Sequence, residues 1–124
     1  MEPNGMTASK ILIVDDEALI RSLLSRTFEQ AGYVVKTADS GRDAIALCDH
    51  EDFDFVLSDV MMPEINGHQL VQWIATHRPA THFALMSGYV APDDASDNSP
   101  RCELIPKPFR PTQVLQFVEM ALAS

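Results

Sequence analysis

Long apolar runs are missing from this 124-residue chain. No stretch nears the roughly 20 residues that a membrane-spanning helix needs, and none near the start is shaped like a secretory signal. The expectation is a soluble, cytoplasmic protein that does not insert into a membrane. Cysteine is scarce. The two present, Cys48 and Cys102, lack CxxC spacing and metal-site company. A disulfide between them is open on arithmetic, but the expected state is reduced and structural. Basic charge is also short: 9 Lys and Arg stand against 18 Asp and Glu, for a net charge of −9. Such a surface repels phosphate backbones and argues against direct nucleic-acid binding. Internal repeats and a second domain are not visible either.

What the chain does have is patterned apolar content. Hydrophobic residues make up 46%, enough for the core of one domain. Residues 1–9 are polar and read as a flexible leader, leaving 10–124 as the folded unit. Residues 10–14 (KILIV) form a short β-branched run that suits a strand buried on both faces. Over 17–30 the spacing of Leu19, Ile20, Leu23, Leu24, Thr27 and Phe28 predicts a helix, stopped by Gly32. A second strand follows at 33–37, and Ser40 with Asp43 makes a cap for a helix to about 49. The third strand falls at 53–58, a helix at 67–77, the fourth strand at 82–87 and a short fifth at 102–105. Pro111 opens a last helix. Between the fourth and fifth strands, 91–101 is rich in Pro, Asp, Ser and Asn, so the helix expected there is short or irregular. Strands alternating with helices imply a doubly wound parallel sheet with helices on both faces. Right-handed crossovers then gather the carboxyl ends of the strands along one edge.

That edge collects the polar residues. Asp15 and Asp16 follow the first strand, Asp59 the third, Ser87 ends the fourth and Lys107 follows the fifth. In such sheets, sites form at this edge, where strand order reverses. Three carboxylates in one pocket repel one another unless a cation joins them. An oxygen-only donor set suits a hard ion, Mg²⁺ ahead of Ca²⁺. A lysine opposite the acids suits an incoming phosphoryl group, a serine hydroxyl can bond one of its oxygens, and a carboxylate can accept it as an acyl phosphate. Singly, each residue has a plainer reading: a helix cap for Asp15 and Asp16, a turn for Ser87 and Gly88, a solvated surface lysine for Lys107. Five of them at the ends of four strands outweigh those readings.

The stretches ILIVDDE (11–17), DFVLSDVMMPEINGHQL (54–70), LMSGY (85–89) and PKPF (106–109) occur in the order and spacing of a known family. The chain resembles the receiver domain of two-component response regulators, CheY-like, over nearly its whole length. The resemblance implies a flavodoxin-like, five-stranded sheet in the order 2-1-3-4-5. It implies Asp59 as phosphoacceptor and Asp16 as a direct Mg²⁺ ligand. Asp15 would act mostly through water, and the Met61 backbone carbonyl would complete the protein ligands. Ser87 and Lys107 would meet the phosphoryl group, and Pro108 would match a cis proline that aims Lys107. Met62 and Pro63 would fix the loop that offers the Met61 carbonyl. The implied partner is a histidine kinase or a histidine phosphotransfer protein, docking around 19–26 and the loop after Lys107, with a further protein target downstream. The chain would be either a single-domain regulator or the receiver of a hybrid histidine kinase, and would turn over no external substrate.

Two departures stand out. The aromatic residue expected three positions before the lysine is Leu104, so the usual aromatic switch gives way to an expected rearrangement of segment 88–101. Met61 and Tyr89 flank the pocket, and the expectation is that they slow loss of the phosphoryl group. An aspartyl-phosphate hydrolase would need a second Asp two residues after the nucleophile, and that position is Met61. A pseudo-receiver that only binds partners is the alternative, and the complete set of five polar residues argues against it.

Overall fold

The computed structural model describes residues 9–87, 103–107 and 109–123. Its elements run β1 (Lys10–Val14), α1 (Ala18–Gln30), β2 (Val34–Ala38), α2 (Gly41–His50), β3 (Phe55–Asp59), α3 (Gly67–His77), β4 (His82–Ser87), β5 (Glu103–Pro106) and α4 (Pro111–Ala123). Five parallel strands form one sheet in the order β2-β1-β3-β4-β5. This is the expected doubly wound architecture, with strand limits moved by a residue or two. The shift matters once: Asp59 is the last residue of β3 and pairs with Met86, instead of lying beyond the strand. The helix expected within 91–101 lies outside the described residues, and so does Cys102. Among the described residues no helix is long and apolar enough to cross a membrane.

The central strands read as continuous apolar runs because alternate side chains enter two different cores. Ile11, Ile13, Phe55 and Leu57 join α1 and α4 through Leu24, Phe28, Val114 and Val118. Leu12, Val14 and Val56 join α2 and α3 through Ala44, Cys48, Leu70 and Ile74. Cys48 is buried, and burial pushes its thiol up to about 11, which keeps it in the unreactive thiol form.

Helix ends follow local chemistry. Behind α1, Gly32 takes φ 99°, its N–H donates to Glu29 O, and the Tyr33 N–H reaches back to Phe28 O. The Tyr33 ring packs edge-on against Phe28, the apolar contact that accompanies this type of helix stop. Ser40 caps α2 by accepting from the Asp43 N–H, as expected. Asn66 and Gln69 form a reciprocal capping box on α3. The last carbonyls of α2 are closed by a distant residue: Arg78 donates from Nε to Cys48 O at 2.8 Å and from Nη2 to Asp49 O at 3.2 Å. The stripe predicted on α1 is wider than the face it buries. Leu19 and Leu23 are exposed, while Leu24 and Phe28 carry the packing.

The β3–α3 loop holds one strained residue. Glu64 sits at φ 67°, a left-handed conformation that disfavours a side chain. Its ion pair with Arg42 at 3.3 Å is exposed on both sides and offsets little. Glu64→Gly is therefore expected to raise stability by about 1 kcal/mol. Chemical denaturation of both proteins checks this, and a loss of stability would show that the loop gains more from the Glu64 side chain than φ costs.

Candidate functional site

The alternation that places Ile11 and Ile13, then Phe55 and Leu57, in one layer continues to Asp15 and Asp59 at the carboxyl edge. The β1 ladder runs one step further, since the Asp15 N–H donates to Ala38 O at 3.1 Å. Both acids are consequently buried, with Asp15 at 0% and Asp59 at 6% exposure, while Asp16, next along the chain, is exposed. Carboxylate oxygens of all three lie within 4.8 Å of one another. Lys107 arrives from the end of β5, positioned by its N–H, which donates to Ser87 O at 2.7 Å. Its ammonium stands 3.4 Å from Asp15 Oδ2, 3.5 Å from Asp59 Oδ1 and 3.7 Å from Glu17 Oε1. Ser87 is buried at the end of β4, the neighbouring strand.

Electrostatics follows from this crowding. Burial pushes the Asp15 carboxyl above its ordinary 3.8, against the pull of the Glu17 N–H and Lys107. Burial also raises Asp59, and the nearby Asp15 charge adds to it, while Lys107 and the Met61 N–H oppose. For Lys107, burial favours the neutral amine, but the Asp15 and Asp59 carboxylates outweigh it and raise its pKa. One lysine thus partly balances two buried acids. The remaining negative charge, presented by oxygen donors alone, fits a hard divalent cation such as Mg²⁺.

Asp15, Asp16, Asp59, Ser87 and Lys107 therefore meet at one edge. Met61 supplies an N–H 3.4 Å from Asp59 Oδ1 while the residue is 72% exposed, and Met62 is the methionine that packs into the core. Gly88, Tyr89, Pro108, the Leu104 side chain and segment 88–101 lie outside the described residues. The sequence reading gave Glu17 and Arg21 no place in the acid site, Arg21 falling only within the expected docking stretch 19–26. Glu17 reaches Lys107, and Arg21 donates from Nη1 to the Asp15 carbonyl at 2.8 Å. Their signal was proximity to the DDE run; the distances come only from the folding of α1 back over the loop.

Three kinds of comparison agree with this geometry. The family model for the response regulator receiver domain matches residues 11–119. The response regulator protein FleR of Pseudomonas aeruginosa is 34% identical over 113 residues, covering 90% of this chain and 24% of its own. The sensor kinase CckA of Brucella abortus is 32% identical over 120 residues, covering 93% of this chain and 13% of its own. The chain thus spans about a quarter or less of these two relatives. Among solved structures, the chemotaxis protein CheY4 of Vibrio cholerae superposes with a TM-score of 0.84 at 30% identity, covering 91% of this chain and 98% of that one. With the acid cluster and sheet order already in place, these matches show that the chain belongs to the response regulator receiver domain family of two-component signalling.

Proposed function

We propose that this domain is a phosphorylation switch in which Asp59 accepts a phosphoryl group from the phosphohistidine of a histidine kinase or histidine phosphotransfer protein. The observation that carries the reading is the buried Asp59 carboxylate, 3.5 Å from the Lys107 ammonium and within reach of Asp15 and Asp16. An Asp59 oxygen attacks phosphorus and forms the acyl phosphate. The phosphorus–nitrogen bond breaks, and its electron pair leaves with the imidazole, which takes up a proton. Lys107 pairs with the phosphoryl oxygens, and Ser87 is assigned a hydroxyl contact to one of them. β3 holds Asp59 rigidly, as in-line attack requires. Asp16, Asp59 and the Met61 carbonyl would hold Mg²⁺, with Asp15 reaching it mostly through water, and the bound ion would neutralise charge on the group being transferred.

Water releases the phosphoryl group, and no external substrate is turned over. The modified domain changes conformation and partner binding. It acts in the cytoplasm, either alone or as the receiver of a hybrid kinase, with 10–124 as the receiver unit. The acid cluster favours this over a hydrolase, because the position of the second acid is Met61, which has no proton to give.

The test is intact-mass analysis after incubation with Mg²⁺ and acetyl phosphate. The wild type is expected to gain one phosphoryl adduct and Asp59→Asn none. A wild type that binds Mg²⁺ yet gains no adduct would assign the domain to phosphorylation-independent partner binding.

A further inference from the structure

Asp15 is held at every polar atom. Its N–H donates to Ala38 O, its Oδ1 accepts from the Glu17 N–H at 2.9 Å, and its Oδ2 faces Lys107 at 3.4 Å. The fourth contact is to the backbone: Arg21 Nη1 donates to the Asp15 carbonyl at 2.8 Å. That carbonyl belongs to the planar peptide linking Asp15 to Asp16. Fixing its oxygen fixes the peptide plane and so the place of the Asp16 Cα from which the Asp16 carboxylate extends. Asp16 is exposed, so no surrounding core holds it in place. Arg21 is itself anchored in the first turn of α1, where its N–H donates to Glu17 O at 3.2 Å. A hydrogen bond from a charged donor is among the stronger ones available to such a loop.

We infer that Arg21 is a positioning residue of the acid site: its guanidinium pins the Asp15–Asp16 peptide and thereby aims the Asp16 carboxylate at a bound divalent cation. The inference rests on the Mg²⁺ set proposed above. Its direction is opposite to what the Arg21 charge alone would do. A bare positive charge beside the site repels a dication, so removing it would tighten binding. Removing the clamp loosens the ligand and weakens binding.

Calorimetric titration of Mg²⁺ into the full chain separates the two, using wild type, Arg21→Met and Arg21→Lys. Thermal midpoints in metal-free buffer and hydrogen exchange at the Glu17 amide accompany it. Arg21→Met is expected to bind Mg²⁺ about ten-fold more weakly, the scale for lost partners of metal ligands. Its Glu17 amide should exchange faster while its metal-free midpoint stays near that of the wild type. Arg21→Lys, which keeps a charged donor, should recover part of the affinity. Equal or tighter binding by Arg21→Met, with normal binding by the wild type, would overturn this inference and leave the function reading intact. So would both variants losing midpoint and affinity together, since Arg21 would then merely support the fold. A wild type that binds no Mg²⁺ would overturn the metal reading as well.

Discussion

Gly67→Ala is expected to lower stability by about 3 kcal/mol or more, from a total that for such domains is about 5–15 kcal/mol. A Cβ at Gly67 would stand 2.5 Å from the Asp59 carbonyl oxygen, 2.7 Å from Leu85 Cδ2 and 2.9 Å from Val60 Cα. Leu85 could turn away, but the other two atoms are backbone at the end of β3. They cannot move freely, because the Gly67 N–H donates to Val60 O and the Val60 N–H donates to Met86 O. The start of α3 is thus packed directly on Asp59, the proposed phosphoacceptor. Whatever fraction of the variant stays folded should also load phosphoryl groups slowly, because relief of the clash moves Asp59 or α3. Urea denaturation with parallel adduct measurement reads both effects. A loss below about 1 kcal/mol would mean that the contact yields far more readily than backbone should.

The second large effect has the opposite sign. In neutral, metal-free buffer, Asp59→Asn is expected to be more stable than the wild type by roughly 1–2 kcal/mol, the scale on which neutral isosteres of buried ions stabilise. Asp15 and Asp59 both have folded pKa values raised above their ordinary 3.8, through burial first. The folded chain therefore binds these protons more tightly than the unfolded chain. The stability they contribute is fully present below 3.8 and is lost as pH rises through the raised values. At neutral pH the wild type bears that loss, and Asp59→Asn removes one of the two charges. The gap should close as pH falls toward 3.8, where the carboxyls are already neutral. Saturating Mg²⁺ should narrow or reverse it by binding the folded wild type. Asp15→Asn should follow the same pattern, since each acid faces Lys107, at 3.4 Å and 3.5 Å. Unfolding curves across pH, with and without Mg²⁺, decide the matter. A less stable Asp59→Asn at neutral pH without metal would show that Lys107 compensates the pair fully.

The sheet was legible because β-branched runs and their turns recur with little ambiguity, and the polar residues at strand ends mark one edge once the strands are parallel. Ser40, Asp43 and Gly32 announced helix limits that local hydrogen bonds then realise. Other features depend on three-dimensional distance. Leu19 and Leu23 fit a helical stripe as well as Leu24 does, yet only packing against β1 and α4 decides which of them is covered. Periodicity sees the helix but not the angle of its buried face. The left-handed Glu64 was hidden because its residue type disfavours that conformation. Arg21 and Glu17 were missed as site neighbours because neither contact follows a sequence period.

Arg78 carries a consequence for how the molecule comes apart. Its guanidinium closes carbonyls of Cys48 and Asp49, residues 30 and 29 positions earlier in the chain, from just beyond the end of α3. A helix end that satisfies its own carbonyls or leaves them to water can fray by itself. The end of α2 has borrowed its donors from α3's terminus, so neither last turn can open without breaking bonds of the other. Although β2 lies at the border of the sheet, the helical layer beside it thus opens as one cooperative block with α3, and its local breathing is tied to the slower, larger openings of the fold.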